Sequence, residues 1–375
     1  MGSNLLLTFL IVSNFGLSML GDFVLFLTAT SILSLAYIAL PANYSIFKIQ
    51  DEESYLNYFN GNYIYSSILL IPIVFLVDLL NFLMIDGMTL YLYTAIVALQ
   101  NYFDVFFQAN NRLHKYYISI LIISLLRLLL LMYVIYYGEI EFILEYLIDI
   151  YLFPTFFVLI ILIYNERAAC IQYKIIGLNK YLYYLKTNYH LLKIYYLGII
   201  IKRLKDNMLI LLFSIISSSE LIGLYSLFVK IGSAILGQIR VLEAMLMNRF
   251  NLDGLKNITS IPFIVGFSTQ LVIITIGTLY MVINTGEYYS VSLVIYSFIA
   301  YPYLKTIIMR AKMLSRYDNK SINKSYLFYI FLISIFFFIA AFFDINNINY
   351  ILVALLLGEI VVAKTLSNMN RKIHA

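Results

Sequence analysis

Long apolar runs separated by short polar punctuation fill this chain, and the strict apolar/polar alternation of half-buried strands is absent. A run of about 20 apolar residues is what an α-helix needs to cross the hydrocarbon core of a bilayer. Twelve such spans are predicted: 5–20, 23–46, 63–85, 89–111, 117–138 and 144–164, then 194–217, 219–242, 260–283, 288–309, 325–343 and 348–365. The first is short, but no basic leader or small-residue cleavage site precedes it, so it reads as a retained span.

Composition narrows the choice of solvent. Hydrophobic residues make up 62% of the chain and charged ones 12%, about half the charge of an ordinary globular domain. So few charges cannot cover a water-soluble fold of 375 residues. Lipid can be the solvent if every backbone group is bonded within helices or a closed barrel, and the missing alternation selects helices. The expected fold class is an all-α polytopic membrane protein of about twelve transmembrane helices in two parallel six-helix lobes.

Charge gives the orientation. Loops after even-numbered spans hold Lys48, then Arg112 and Lys115, five basic residues from Arg167 to Lys193, Arg249 and Lys256, and a run from Lys305 to Lys324, with Lys364, Arg371 and Lys372 at the end. Loops after odd-numbered spans hold no Lys or Arg, only Asp22, Asp86, Glu139, Glu141, Glu220, Glu287 and Asp344. An error of one span would destroy this alternation. By the positive-inside rule both termini are cytoplasmic. Trp is absent and Tyr numbers 35, so tyrosine is expected to form the interfacial belt alone.

The polar stretch 165–193 divides the spans six and six. Its basic residues among Tyr, Leu and Ile suit an amphipathic helix on the cytoplasmic leaflet. The expected domains are an N-lobe over 1–164, a linker over 165–193 and a C-lobe over 194–375. An internal repeat agrees with this: at an offset of 202, Leu20-Gly21-Asp22-Phe23 aligns with Ile222-Gly223-Leu224-Tyr225, and Ser31 with Ser233. Six helices is an even number, so both copies run the same way through the membrane.

Little here supports catalysis. Cys170 is the lone cysteine, and His114, His190 and His374 lie scattered in basic hydrophilic segments, so no metal site is expected. No phosphate-binding glycine loop of the G-x-x-x-x-G-K-[ST] type, paired-acid or triad arrangement stands out. Neither a cofactor nor a nucleic-acid partner is expected, and the chain does not read as an enzyme.

Residues Asp206 to Gly232, DNMLILLFSIISSSELIGLYSLFVKIG, and Gly16 to Phe26, GLSMLGDFVLF, resemble the span starts of bacterial polysaccharide flippases in the multidrug/oligosaccharidyl-lipid/polysaccharide exporter superfamily. The shared pattern is an acidic residue leading an apolar span, a short turn, then Gly-x-Tyr opening the next helix. The resemblance implies a transporter that moves an undecaprenyl-diphosphate-linked oligosaccharide repeat unit across the inner membrane by alternating access, for O-antigen or capsule assembly. It implies as partners the lipid-linked oligosaccharide, membrane lipids, and polysaccharide polymerase and assembly proteins.

Charges inside spans are the candidate site residues, because an ionisable group at the bilayer centre costs about 2.5–3.5 kcal/mol and usually faces a cavity or a partner. Arg127 and Lys230 each lie about eleven residues into their spans, roughly 16 Å deep at 1.5 Å per residue. Either pairs with an acid such as Asp104, Asp149 or Glu359, or lines a route for the anionic diphosphate that the resemblance implies. Lys202, Arg203 and Lys205 beside Asp206 either receive that headgroup or mark the interface. Arg240 and Glu243 read as a local pair. Asp78, Asp104 and Glu359 are the acids available for ion coupling. Two rivals stand beside the flippase. A polysaccharide polymerase is expected to carry large external loops with arginines, which are missing here, and a multidrug antiporter is expected to prefer an acidic cavity.

Overall fold

In the computed structural model, residues 2–37, 52–79, 86–109, 113–137, 143–165, 177–187, 189–250, 261–285, 290–314 and 319–372 are described. They form helices α1 (Gly2–Leu33), α2 (Glu52–Leu79), α3 (Gly87–Ala109), α4 (Leu113–Tyr137), α5 (Ile143–Asn165), α6 (Leu178–Thr187), α7 (Tyr189–Phe213), α8 (Ser219–Phe250), α9 (Ile261–Thr285), α10 (Ser290–Ser297), α11 (Ala300–Leu314), α12 (Asn319–Phe342) and α13 (Ile348–Lys372), with a 3₁₀ turn Ser34–Tyr37 after α1. No strand occurs among the described residues.

The helices fall on the predicted spans. α1 carries the first two, divided at Gly16, whose φ of 85° is open to glycine without strain. α10 and α11 carry the tenth, separated by a turn at Phe298 and Ile299. Among the described residues, Leu5–Tyr37, Tyr117–Tyr137, Ile143–Asn165, Val291–Arg310, Lys320–Phe342 and Ile348–Asn370 are long and apolar enough to cross a membrane, and Tyr63–Val77 and Ser268–Leu279 are shorter apolar helices.

Side chains are sorted as lipid demands. α4 presents Leu121, Leu125, Leu129, Met132 and Tyr136 outward along one stripe while Ser119, Ile123 and Leu131 are buried. Spacings of three and four put both sets on helix faces. In water such a stripe invites association; against acyl chains it is neutral. Some buried hydroxyls are satisfied inside their own helix, as where Thr94 Oγ1 donates to the Leu90 carbonyl at 2.7 Å, and others bond to a neighbouring element, as where Ser66 Oγ donates to the Ala36 carbonyl at 2.8 Å. Tyr133, Tyr136 and Tyr137 end α4 exposed, as an interfacial belt requires, yet Tyr93, Tyr225, Tyr296, Tyr326 and Tyr329 are buried. Tyrosine therefore also builds the interior.

Helix ends carry explicit caps. Asp86 accepts from the Thr89 backbone N–H at 2.9 Å and from the Thr89 hydroxyl at 2.6 Å. Burial pushes its pKa up, but the hydrogen bonds from Thr89 and the neighbouring backbone outweigh that and hold the carboxyl below its ordinary value. α12 stops at Asp344, which takes a φ of 52°, while the Ile345 N–H reaches back to the Ala340 carbonyl at 2.9 Å. That is the bond of a Schellman cap, with Asp in the place usually held by glycine.

The chain divides into two compact units, Met1–Leu25 with Leu204–Ala375, and Phe26–Arg203. The first 25 residues group with the second half of the chain. A close crossing at Gly21 is the local reason. A Cβ on Gly21 would fall 1.8 Å from the Ser219 carbonyl oxygen, and one on Gly223 would fall 1.9 Å from the Leu17 carbonyl oxygen. At the 202-residue offset, Leu17 corresponds to Ser219 and Gly21 to Gly223, so each glycine meets the residue four positions before the other glycine. Asp22 reinforces the crossing by accepting from the Ser219 hydroxyl at 2.5 Å. Of the expected linker, the structure describes α6, whose buried Tyr181 lies 4.9 Å from the Tyr65 ring of α2 while Leu178, Leu182 and Tyr183 face outward.

Candidate functional site

Within the unit built from the second half, α8 packs on α9, α10, α11 and α13, and α13 on α10, α11 and α12. A cavity of about 200 Å³ lies among them, lined by Lys205 and Asp206 of α7, Tyr225 of α8, Tyr296 of α10, Tyr303 of α11, Tyr329 of α12 and Glu359 of α13, with apolar neighbours. Two glycines make room for two of its walls. A Cβ on Gly232 would fall 2.0 Å from the Tyr296 hydroxyl, and one on Gly358 would fall 2.4 Å from the Tyr329 ring.

The ionic centre of this cavity is Lys205, whose Nζ lies 2.5 Å from Glu359 Oε1. The same ammonium sits 5.0 Å from the Tyr329 ring centroid and 5.7 Å from that of Tyr326, within cation–π range. Glu359 is 5% exposed and its Oε2 has no hydrogen-bond partner. Two charges removed from water are tolerable when each neutralises the other. Asp206 adds a second carboxylate, so the lining holds one ammonium against two acids. A residue expected as a cavity cation and one expected as a coupling acid thus form one pair.

The other basic residues of that segment point elsewhere. At 100° per residue, Arg203 and Lys205 are 200° apart on α7. Arg203 donates through Nη1 to Ser31 Oγ at 3.1 Å within the Phe26–Arg203 unit, and Lys202 is exposed. Lys230 is half-buried on α8 and is not among the described residues that line the cavity. Asp78 and Asp104 lie on α2 and α3, and their side chains, with those of Arg240 and Glu243, fall outside the described residues.

Arg127 of α4 belongs to the Phe26–Arg203 unit. Its Nη2 donates to Thr155 Oγ1 at 2.9 Å and to the Tyr151 carbonyl at 3.2 Å, and its guanidinium carbon lies 4.2 Å from the Tyr151 ring centroid. Tyr151 and Thr155 are i and i+4 on α5, so one helix face receives the whole guanidinium. Its buried Nε has no partner. Every described partner of Arg127 is neutral, and none cancels its charge. A fixed positive charge held by neutral groups can stabilise an anion by charge-assisted hydrogen bonds.

Sequence reasoning picked out Lys205, Glu359 and Arg127 but missed the tyrosine walls. The available signal was Gly232 and Gly358, small residues inside apolar helices, which mark close approach in membranes.

Comparison with known proteins gives fold and no more. No known family profile matches the chain, and no curated relative matches it. Solved structures do. An inward-facing multidrug resistance MATE family transporter of the MOP superfamily superposes with a TM-score of 0.71 at 12% identity, covering 99% of this chain and 93% of that one. The chain shares its fold with that transporter. The lipid II flippase MurJ, in an inward closed conformation, matches with a TM-score of 0.64 at 12% identity over 98% of this chain and 85% of its own. A MATE in complex with MaL6 matches with a TM-score of 0.58 at 12% identity over 99% and 92%. The first of these neighbours is described as a transporter and the second as a flippase.

Proposed function

We propose that this protein is a flippase that carries an undecaprenyl-diphosphate-linked oligosaccharide repeat unit across the bacterial inner membrane by alternating access, with both termini cytoplasmic. The observation that carries the reading is Arg127, a guanidinium within a spanning helix whose described partners are all neutral. The diphosphate of the cargo supplies the missing negative charge. The fold shared with a lipid II flippase supports the same class of cargo. Lys205 and Glu359 act as a neutral pair that can open when either charge finds another partner, with Lys202, Arg203 and Lys230 as further cations along the route. Asp78 and Asp104, with Glu359, are the acids for ion coupling. The partners are the lipid-linked oligosaccharide, membrane lipids, and the polymerase and assembly proteins that receive the cargo.

Export of cationic drugs is a second reading, favoured by the two carboxylates against one ammonium in the Lys205 cavity and by the likeness to MATE transporters. One experiment separates the two. In cells lacking the native gene, Arg127→Gln should lower surface polysaccharide at least tenfold at equal membrane level, because one charge-assisted phosphate contact is worth roughly 1.5–3 kcal/mol. Normal polysaccharide with altered sensitivity to cationic drugs would favour the antiporter.

Orientation has its own test. In a Cys170→Ser background, cysteine at the exposed Asp344 should react with an impermeant thiol reagent in intact cells, and cysteine at the exposed Lys320 should not. The reverse pattern rejects cytoplasmic termini.

A further inference from the structure

Between α11 and α13 runs a groove of about 750 Å³, separate from the Lys205 cavity and lined by none of the same residues. One end is apolar: Phe298 and Ile360 are exposed, with Leu356 beside them. The other end holds Lys305 and Lys364, with Ser367 and Asn368 one turn beyond Lys364. From Leu356 to Lys364 is eight residues, about 12 Å along the helix. The groove therefore runs from mid-span to the end where the charge pattern puts the cytoplasmic face.

Charge singles out the occupant. Lys305 and Lys364 are both exposed, share one groove, and have no acidic partner among the described residues. Two ammonium groups lining one groove attract an anion to it. Ser367 and Asn368 offer neutral donors at the same end, suited to phosphate oxygens. Basic pockets between transmembrane helices on the cytoplasmic side are the common form of anionic headgroup sites.

We propose that this groove binds one anionic phospholipid of the cytoplasmic leaflet, its phosphate held between Lys305 and Lys364 and one acyl chain laid along Phe298, Leu356 and Ile360. Only the leaflet rests on the orientation argued above. The site itself follows from the groove and its two lysines. Such a lipid would be retained by the protein rather than carried, because the groove is lined by α11, the turn before it and α13, and shares no lining residue with the Lys205 cavity.

The test is native mass spectrometry of the purified full chain in non-ionic detergent, with phosphatidylglycerol or phosphatidylcholine of identical acyl chains added. Wild type should retain phosphatidylglycerol in preference to phosphatidylcholine. Lys305→Gln and Lys364→Gln should each weaken that preference about fivefold, and the double variant should lose more than tenfold. Lys320→Gln/Lys324→Gln, which removes two exposed charges on α12, should leave it unchanged. Thermal midpoints taken in parallel identify any unfolded variant, and the single variants then carry the result. Equal retention of both lipids by wild type, or full retention of phosphatidylglycerol by the folded double variant, overturns the proposal. Displacement of phosphatidylglycerol by an equimolar amount of undecaprenyl diphosphate, in a manner that needs both lysines, would also overturn it, since the groove would then belong to the cargo.

Discussion

Lys205→Met should destabilise the protein by about 3–5 kcal/mol and strip most of it from the membrane, because it leaves the Glu359 carboxylate buried without a counter-charge. Glu359 has nowhere to turn: it is 5% exposed and its Oε2 already lacks a partner. The converse change, Glu359→Leu, should cost less. Lys205 keeps the faces of Tyr326 and Tyr329, and with a side chain 15% exposed it can lean outward on its long stem. Removing both charges together, as Lys205→Met/Glu359→Leu, should restore near-native stability, since apolar side chains of similar volume commonly replace a buried ion pair without loss. Thermal unfolding of the purified variants in detergent gives the order. A Lys205→Met protein as stable as the double variant would mean that the pair has no role in holding α7 to α13.

Gly21→Ala and Gly223→Ala should be the most damaging single-methyl additions in the chain. In each case the obstacle is a backbone carbonyl less than 2 Å from the new Cβ, and no rotamer change removes a carbonyl. The helices must move apart, breaking the Asp22–Ser219 bond, and overpacking of this kind costs about 1–3 kcal/mol or more. Gly232→Ala and Gly358→Ala meet similar distances, but against the Tyr296 hydroxyl and the Tyr329 ring, which can swing into the adjoining cavity. Their main effect should fall on transport rather than on assembly. Monodispersity on size-exclusion chromatography, read beside an export assay, separates the two pairs; equal behaviour of all four variants would contradict this reading.

The spans were legible because lipid imposes two independent signals, apolar length and the sign of loop charge. The basic run from Lys305 to Lys324 and the acidic turn at Asp344 could each have been read without the other. The offset that aligns Gly21 with Gly223 did not announce their contact, since an offset says nothing about which equivalent positions touch. Lys205 and Glu359 are separated by 154 positions, and each had a reasonable role alone, so nothing local announced that they neutralise one another. Arg127 was legible as a deep cation. Its neutral seat was not, because Tyr151 and Thr155 are ordinary residues of an apolar helix whose meaning comes from facing α4. The buried tyrosines were not legible for a physical reason: the ring suits both an interface and a buried polar wall, and composition cannot separate the two.

The crossing of Gly21 with Gly223 also bears on ancestry. Gly21 lies against Ser219 and Gly223 against Leu17, so the contact is reciprocal: each glycine meets the residue four positions before the other. A contact of that kind needs only one surface, as in a twofold-symmetric homodimer. A half-length ancestor bearing Leu-x-x-x-Gly at this point could already have paired with a second copy of itself. Joining the two genes would then have preserved an existing interface rather than required a new one, leaving each copy free to specialise: Arg127 among neutral groups in one, Lys205 beside Glu359 in the other.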